Sequence, residues 1–129
     1  MSSKLLLLPM LTHVIWVALL YVLLTVVRAP AVWGFIKSKK DSWAEVEPRI
    51  SANLSNQFEW PLFFYVICVL IISMGNIIEP IQFWLAWVFV GGRLLHSFIQ
   101  ILTNNIRLRG LVFTINFLAV IAMWLLFVF

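Results

Sequence analysis

Four stretches of this chain are each long and apolar enough to cross a lipid bilayer, and that decides what it can fold into. A spanning helix needs about 20 predominantly apolar residues. The stretches are residues 5–27, 51–74 (its apolar bulk beginning after Trp60), 81–102 and 111–129. Composition closes off the alternatives. Hydrophobic residues make up 64 % of the 129 and charged residues 11 %, whereas soluble domains average roughly 45–50 % and 25 %. A water-soluble fold of this size cannot hide so much apolar surface. A soluble enzyme, a disordered regulator and a secreted disulfide scaffold are therefore excluded. Cys68 is the single cysteine and lies in an apolar run, which leaves no disulfide framework and no cysteine-based metal site. The expectation is an all-α integral membrane protein, a four-transmembrane-helix bundle forming one domain over residues 1–129.

Local signals agree. The first span is too long for a cleavable signal peptide and no small-residue cleavage site follows it. Gly75-Asn76 reads as a C-terminal cap of the second helix and Pro80 as the first turn of the third. Pro48 fits the start of the second helix, and Ser42 with Glu45 resembles a capping box for a short lead-in turn. Lys37, Lys39 and Lys40, flanked by Arg28 and Arg49, fill the first connection, and Arg107 and Arg109 the third; the opposite side carries only Lys4. The positive-inside rule puts both basic connections in the cytoplasm and both termini on the non-cytoplasmic side. The net charge of +4 is thus a topology signal and an anion site. Nucleic acid is not expected, because the basic residues cluster at helix ends and not along a polar face.

The second and third spans carry a polar stripe. Arg49, Asn53, Asn56 and Glu59 share one broad helical face; Arg93, His96, Ser97, Gln100 and Asn104 share a narrow one, with Arg107 beyond. At about 1.5 Å per residue, Glu59 and Arg93 lie about 12 and 14 Å in from the same membrane surface. An unpaired charge at the bilayer centre costs at least about 2.5–3.5 kcal/mol, so an ion pair between the two is expected, either structural or part of a site. The remaining donors describe a polar cavity open toward the basic connections and suited to an anionic, multiply hydrogen-bonding ligand. No metal is expected, because no second histidine or carboxylate stands at ligand spacing. His13 and Tyr21 read as packing or interfacial residues and Cys68 as core. Thr114 and Asn116 read as helix–helix hydrogen-bond partners, and Trp33, Trp43, Trp84 and Trp124 as interface or packing residues.

The segments Asn56-Gln57-Phe58-Glu59-Trp60-Pro61 and Gly92-Arg93-Leu94-Leu95-His96 resemble those of the MAPEG family, the membrane-associated proteins in eicosanoid and glutathione metabolism. The resemblance covers nearly the whole chain and is nearest to the compact bacterial branch, which implies a bacterial inner membrane. It implies a homotrimer in the membrane lipids, with glutathione as co-substrate in clefts between subunits and a lipophilic small molecule as second substrate. Carried over by motif, Asn56, Glu59, Arg93 and His96 correspond to glutathione contacts, and Arg28 resembles a further basic contact; Asn53 and Gln100 join them as candidate contacts through the polar stripe. Arg109 corresponds to the thiolate-stabilising arginine when the third helix is aligned without a gap to prostaglandin-synthase members. Aligned to leukotriene-synthase members, that role falls on Arg107; Arg109 is preferred. Gln100 and Phe113 stand where tyrosines are expected, Ser55 where a basic residue is common, and Gly110 where a serine can follow the arginine.

The function implied is a glutathione-dependent transferase or peroxidase acting on lipophilic electrophiles or lipid hydroperoxides. A free thiol has a pKa near 8.5, and an adjacent guanidinium lowers it. The alternative is a non-catalytic lipid-binding scaffold like the lipoxygenase-activating member. A transporter is disfavoured by the absence of an inverted repeat or broken helix pair in the pattern. The topology has a direct test. Single cysteines replacing Ser2 and Ser38 are expected to respond oppositely to an impermeant thiol reagent added outside intact cells. Labelling at position 38 would reverse the orientation.

Overall fold

The computed structural model describes residues 1–32, 43–75 and 77–129, the side chains of residues 30–32 and 43–45 apart. Trp33, Lys37, Ser38, Lys39, Lys40, Ser42 and Asn76 lie outside the described residues, as do the side chains of Trp43 and Glu45. A 3-10 turn, Ser3–Leu6, leads into α1 (Leu7–Val32); α2 (Trp43–Asn56), α3 (Pro61–Ser73), α4 (Pro80–Leu102) and α5 (Ile106–Val128) follow. Taken with the short turn that joins them, α2 and α3 make one of four helical segments long and apolar enough to span a membrane among the described residues. Helices apolar on every side belong in lipid, and α1 and α5 leave residues such as Val22, Val26, Leu111 and Leu118 more than half exposed.

The second span is broken where the sequence suggests continuity. Pro61 has no N–H to offer the carbonyl four residues back, and its ring clashes with it. Over residues 57–60 the chain therefore tightens: Gln57 and Phe58 donate to the carbonyls of Leu54 and Ser55, each at 3.1 Å, three residues back. Pro61 then opens α3 in the first-turn position where its missing donor costs nothing. Pro48 does not start a helix, as its sequence context suggested, but lies inside α2. The fourth spanning helix begins at Ile106 and not near 111, because the Asn105 side chain accepts from the Leu108 N–H at 3.1 Å and so caps it. Both Arg107 and Arg109 consequently sit in the opening turns of α5. Pro80 opens α4 after Glu79 as expected, and Gly75, with φ of +65°, supplies the left-handed turn after α3.

α4 is the central element, packed on α1, α2 and most extensively α5, while α3 packs on α5. One apolar core joins α3, α4 and α5, with Phe64 stacked on Phe89 at 4.3 Å between ring centroids. A second holds Leu20 and Leu24 of α1 against Ile50 and Leu54 of α2 and Ile101 of α4. The α4–α5 contact is closest at Gly92. A Cβ there would stand 1.8 Å from Oδ1 and 2.9 Å from Cγ of Asn116, whose side chain is fully buried. Asn116 is therefore not the hydrogen-bonded helix partner expected: among the described residues its amide finds no partner, and Thr114 bonds back to Gly110 of its own helix. Gly92→Ala is expected to lower stability by about 1–3 kcal/mol through overpacking. In detergent thermal unfolding, the double change with Asn116→Ala should recover most of that loss, and a Gly92→Ala protein as stable as wild type would contradict the close contact.

Candidate functional site

Buried polar groups in a membrane protein need partners inside the protein, and here they assemble around the broken segment. Ending α2 at Asn56 leaves a helix C-terminus with free carbonyls and a partial negative charge. Arg93 of α4, only 1 % exposed, meets it: its Nη2 donates to the Asn56 carbonyl at 3.2 Å and its Nε to Gln57 Oε1 at 3.3 Å. The expected Glu59–Arg93 ion pair is not formed. Among the described residues the one ion pair is Arg28–Glu47, at 2.6 Å. Glu59 lies exposed in the broken segment, beside the cavity that Arg93 also lines. Both charges nonetheless line the same cavity. The broken helix, however, offers the guanidinium a carbonyl and an amide oxygen, which satisfy it without the carboxylate.

Behind α2 the network continues. Gln57, 2 % exposed, donates through Nε2 toward Ser97 and toward both the backbone and side chain of Asn53. Ser97 Oγ donates to Asn53 Oδ1 at 2.8 Å and accepts from Trp16 Nε1 at 3.0 Å. His13 joins Gln57 Oε1 to the Tyr65 hydroxyl. Asn53 and Asn56 both donate to Gln100 Oε1, at 2.9 and 3.3 Å. The pattern of asparagines in the second span carried a readable signal for Gln57, which sequence reasoning passed over: it stands four residues after Asn53, one helical turn along the same face. His13, read as a packing residue, is buried and bonded at both ring nitrogens; its partners are more than forty residues away and leave no trace in local spacing.

In front of α2 lies a groove. Its floor is α4, one wall is α2 with the broken segment and α3, and the other is α5. Two cavities follow one another along it. The one at the rim, about 490 Å³, is lined by Arg49, Ala52, Gln100, Asn104, Ile106 and Arg109 among others. The deeper one, about 430 Å³, is lined by Asn56, Glu59, Trp60, Phe63, Arg93 and Phe113. At the rim, Arg49 is held by the Asn104 side chain at 2.7 Å and by the Ile101 carbonyl at 3.4 Å, and so closes the end of α4. Arg109 is half-buried and Arg107 exposed, in the opening turns of α5 where helix N–H groups already make the potential positive. Cations there work against the helix dipole, and an anion sharing the site would be favoured by both.

The structure thus brings Asn56, Glu59, Arg93, Gln100 and Arg109 to one groove. It places Asn53 in the network behind α2, and Arg28 in an ion pair at the end of the first connection. His96 is buried on α4 beside the groove, its ring 6.3 Å from that of Phe113 between centroids. His96 Nδ1 and Trp60 Nε1, like the Asn116 amide, have no hydrogen-bond partner among the described residues. Beyond Arg93 the groove's lining turns aromatic: Trp60 stacks on Phe117 at 4.6 Å. One molecule could satisfy charged groups at the rim and apolar ones deeper in.

No curated protein and no solved structure matches this chain. One family profile does, over residues 6–129, nearly its whole length. The four spanning helices, the Asn56–Glu59 and Gly92–His96 motifs and the polar groove they build agree with that match: the chain belongs to the MAPEG family.

Proposed function

We propose that this multi-pass membrane protein is a glutathione-dependent transferase or peroxidase that acts on lipophilic electrophiles or lipid hydroperoxides. Membership of a family associated with glutathione supplies the class. The observation that carries the reading is the groove between α2 and α5, with Arg49 and Arg109 at its rim and Arg93 deeper, beside the carboxylate of Glu59. Its donors fit an extended tripeptide with two carboxylates, one ammonium and several amides. Arg93 and Asn56 bind at the deep end, Glu59 receives the ammonium, and Gln100 and His96 orient the backbone. Arg109, backed by the first-turn N–H groups of α5, holds the sulfur as thiolate, because a guanidinium favours the charged form of a neighbouring thiol. Arg107, exposed, faces the headgroups, where long basic side chains ordinarily reach for water. The lipophilic partner enters from the bilayer past Phe63 and Phe113. In this reading the assembly is a homotrimer in the bacterial inner membrane, its rim cavity and basic connections on the cytoplasmic side and its termini opposite.

Arg109→Ala is expected to abolish the ultraviolet thiolate band of bound glutathione and to cut conjugation by about tenfold or more, one pKa unit being tenfold in thiolate at neutral pH. Calorimetry should still detect glutathione binding through Asn56, Arg93 and His96. Arg107→Ala should weaken binding modestly and leave the band; the reverse pattern would transfer the role to Arg107. Two observations favour the scaffold reading. Phe113 lines the deep cavity without a hydroxyl, and Gln100 Oε1 is already engaged by two asparagines. Absence of glutathione binding by the wild type at millimolar concentration would overturn the enzyme reading and make the scaffold the better account.

A further inference from the structure

The broken segment separates the groove from a second cavity on the other side. That cavity, about 360 Å³, lies between α1 and α3 and is lined by His13, Val14, Val17, Phe58, Leu62 and Tyr65, with Gln57 at its base. Its volume is in the range of small-molecule sites. Its walls are mostly apolar, and Val14, Phe58 and Leu62 are each more than half exposed. His13 and Gln57, 1 and 2 % exposed, form a polar floor.

The hydrogen positions on that floor follow from Arg93. A guanidinium only donates, so the Gln57 atom 3.3 Å from Arg93 Nε is its carbonyl oxygen. That oxygen also meets His13 Nε2 at 2.8 Å, so Nε2 carries the ring proton. Nδ1 of the neutral ring is then an acceptor, and the Tyr65 hydroxyl donates to it at 2.7 Å in preference to the Met10 carbonyl at 3.4 Å. Gln57 Nε2 is occupied by Asn53 and Ser97. Every donor on the floor is thereby used. The open valence is a lone pair on the Tyr65 oxygen, so the floor accepts a hydrogen bond and has none left to give.

Depth narrows the ligand further. Tyr65 is eight residues before the end of α3, about 12 Å along the helix axis. His13 is ten residues beyond Ser3, about 15 Å at the same rise. In a hydrocarbon core about 30 Å thick, both lie near the middle. A phospholipid headgroup stays at the interface, whereas a molecule with a long apolar body and one hydroxyl can place that hydroxyl here. We infer that the cavity between α1 and α3 binds a lipophilic alcohol, which fills the apolar walls and donates its hydroxyl proton to Tyr65. The site is separate from the groove and does not rest on the glutathione reading.

The test is photo-crosslinking of the full-length protein in lipid nanodiscs, with a long-chain alcohol bearing a diazirine and the methyl ether of the same alcohol as probes. The alcohol is expected to label peptides containing Val14, Val17 and Leu62 about fivefold more than the ether, the usual net value of one hydrogen bond. Tyr65→Phe should reduce alcohol labelling to the level of the ether. Leu62→Trp, which fills the cavity from its rim and leaves the floor intact, should abolish labelling by both. Equal labelling of the wild type by the two probes would overturn the inference, as would labelling that survives Leu62→Trp. If Tyr65→Phe does not fold, the comparison of alcohol with ether on the wild type decides alone.

Discussion

The junction of Arg93 with the end of α2 is the interaction on which the rest of this structure depends. A proline in the middle of a spanning segment frees carbonyls in a medium that offers no water to satisfy them. An arginine in the middle of another is equally unwelcome alone. Each removes the other's cost, and the result fixes the position of α2 on α4. The network of Gln57, Asn53 and Ser97 packs behind that junction, and the groove lies in front of it. Removing one side of such a contact would strand a buried charge or an open carbonyl, which is why neither side can change alone without loss.

Much of this was legible in the sequence, for physical reasons that differ from residue to residue. The spans were legible because a bilayer imposes length and composition on any helix crossing it. The stripe of Arg93, His96 and Gln100 was legible because helical spacing is local. Glu59 and Arg93 were placed at matching depth, and both border the same cavity. Their direct pairing was not borne out: charge alone was weighed there, while Pro61 had put a backbone carbonyl within reach. The start of α5 had a visible signal in Asn105, outweighed by the apolar run that begins at Leu111. The roles of His13, Tyr65 and Trp16 could not be read locally, since each depends on contacts between helices distant in sequence.

One residue links Arg93 of the groove to the floor of the cavity between α1 and α3. Gln57 Oε1 accepts from Arg93 on one side and from His13 on the other. The amide is locked in orientation by a group that can only donate, and the lock passes through the imidazole to the tyrosine. A hydrogen-bond chain of this kind gives two faces of one helix break a common set of proton positions without any moving part.

The groove is also braced at both ends. Arg49 ties α2 to the α4–α5 turn at the rim, and at depth Trp60 stacks on Phe117 while Trp124 donates to the Phe63 carbonyl. Only residues 103–105 join α4 to α5, too few to let those helices part. Its width is therefore set before any ligand arrives, and the entropy lost on association is almost all the ligand's own. Among molecules with the same charges, those already held in an extended shape would be favoured, and flexibility in the guest, not in the host, would set the affinity.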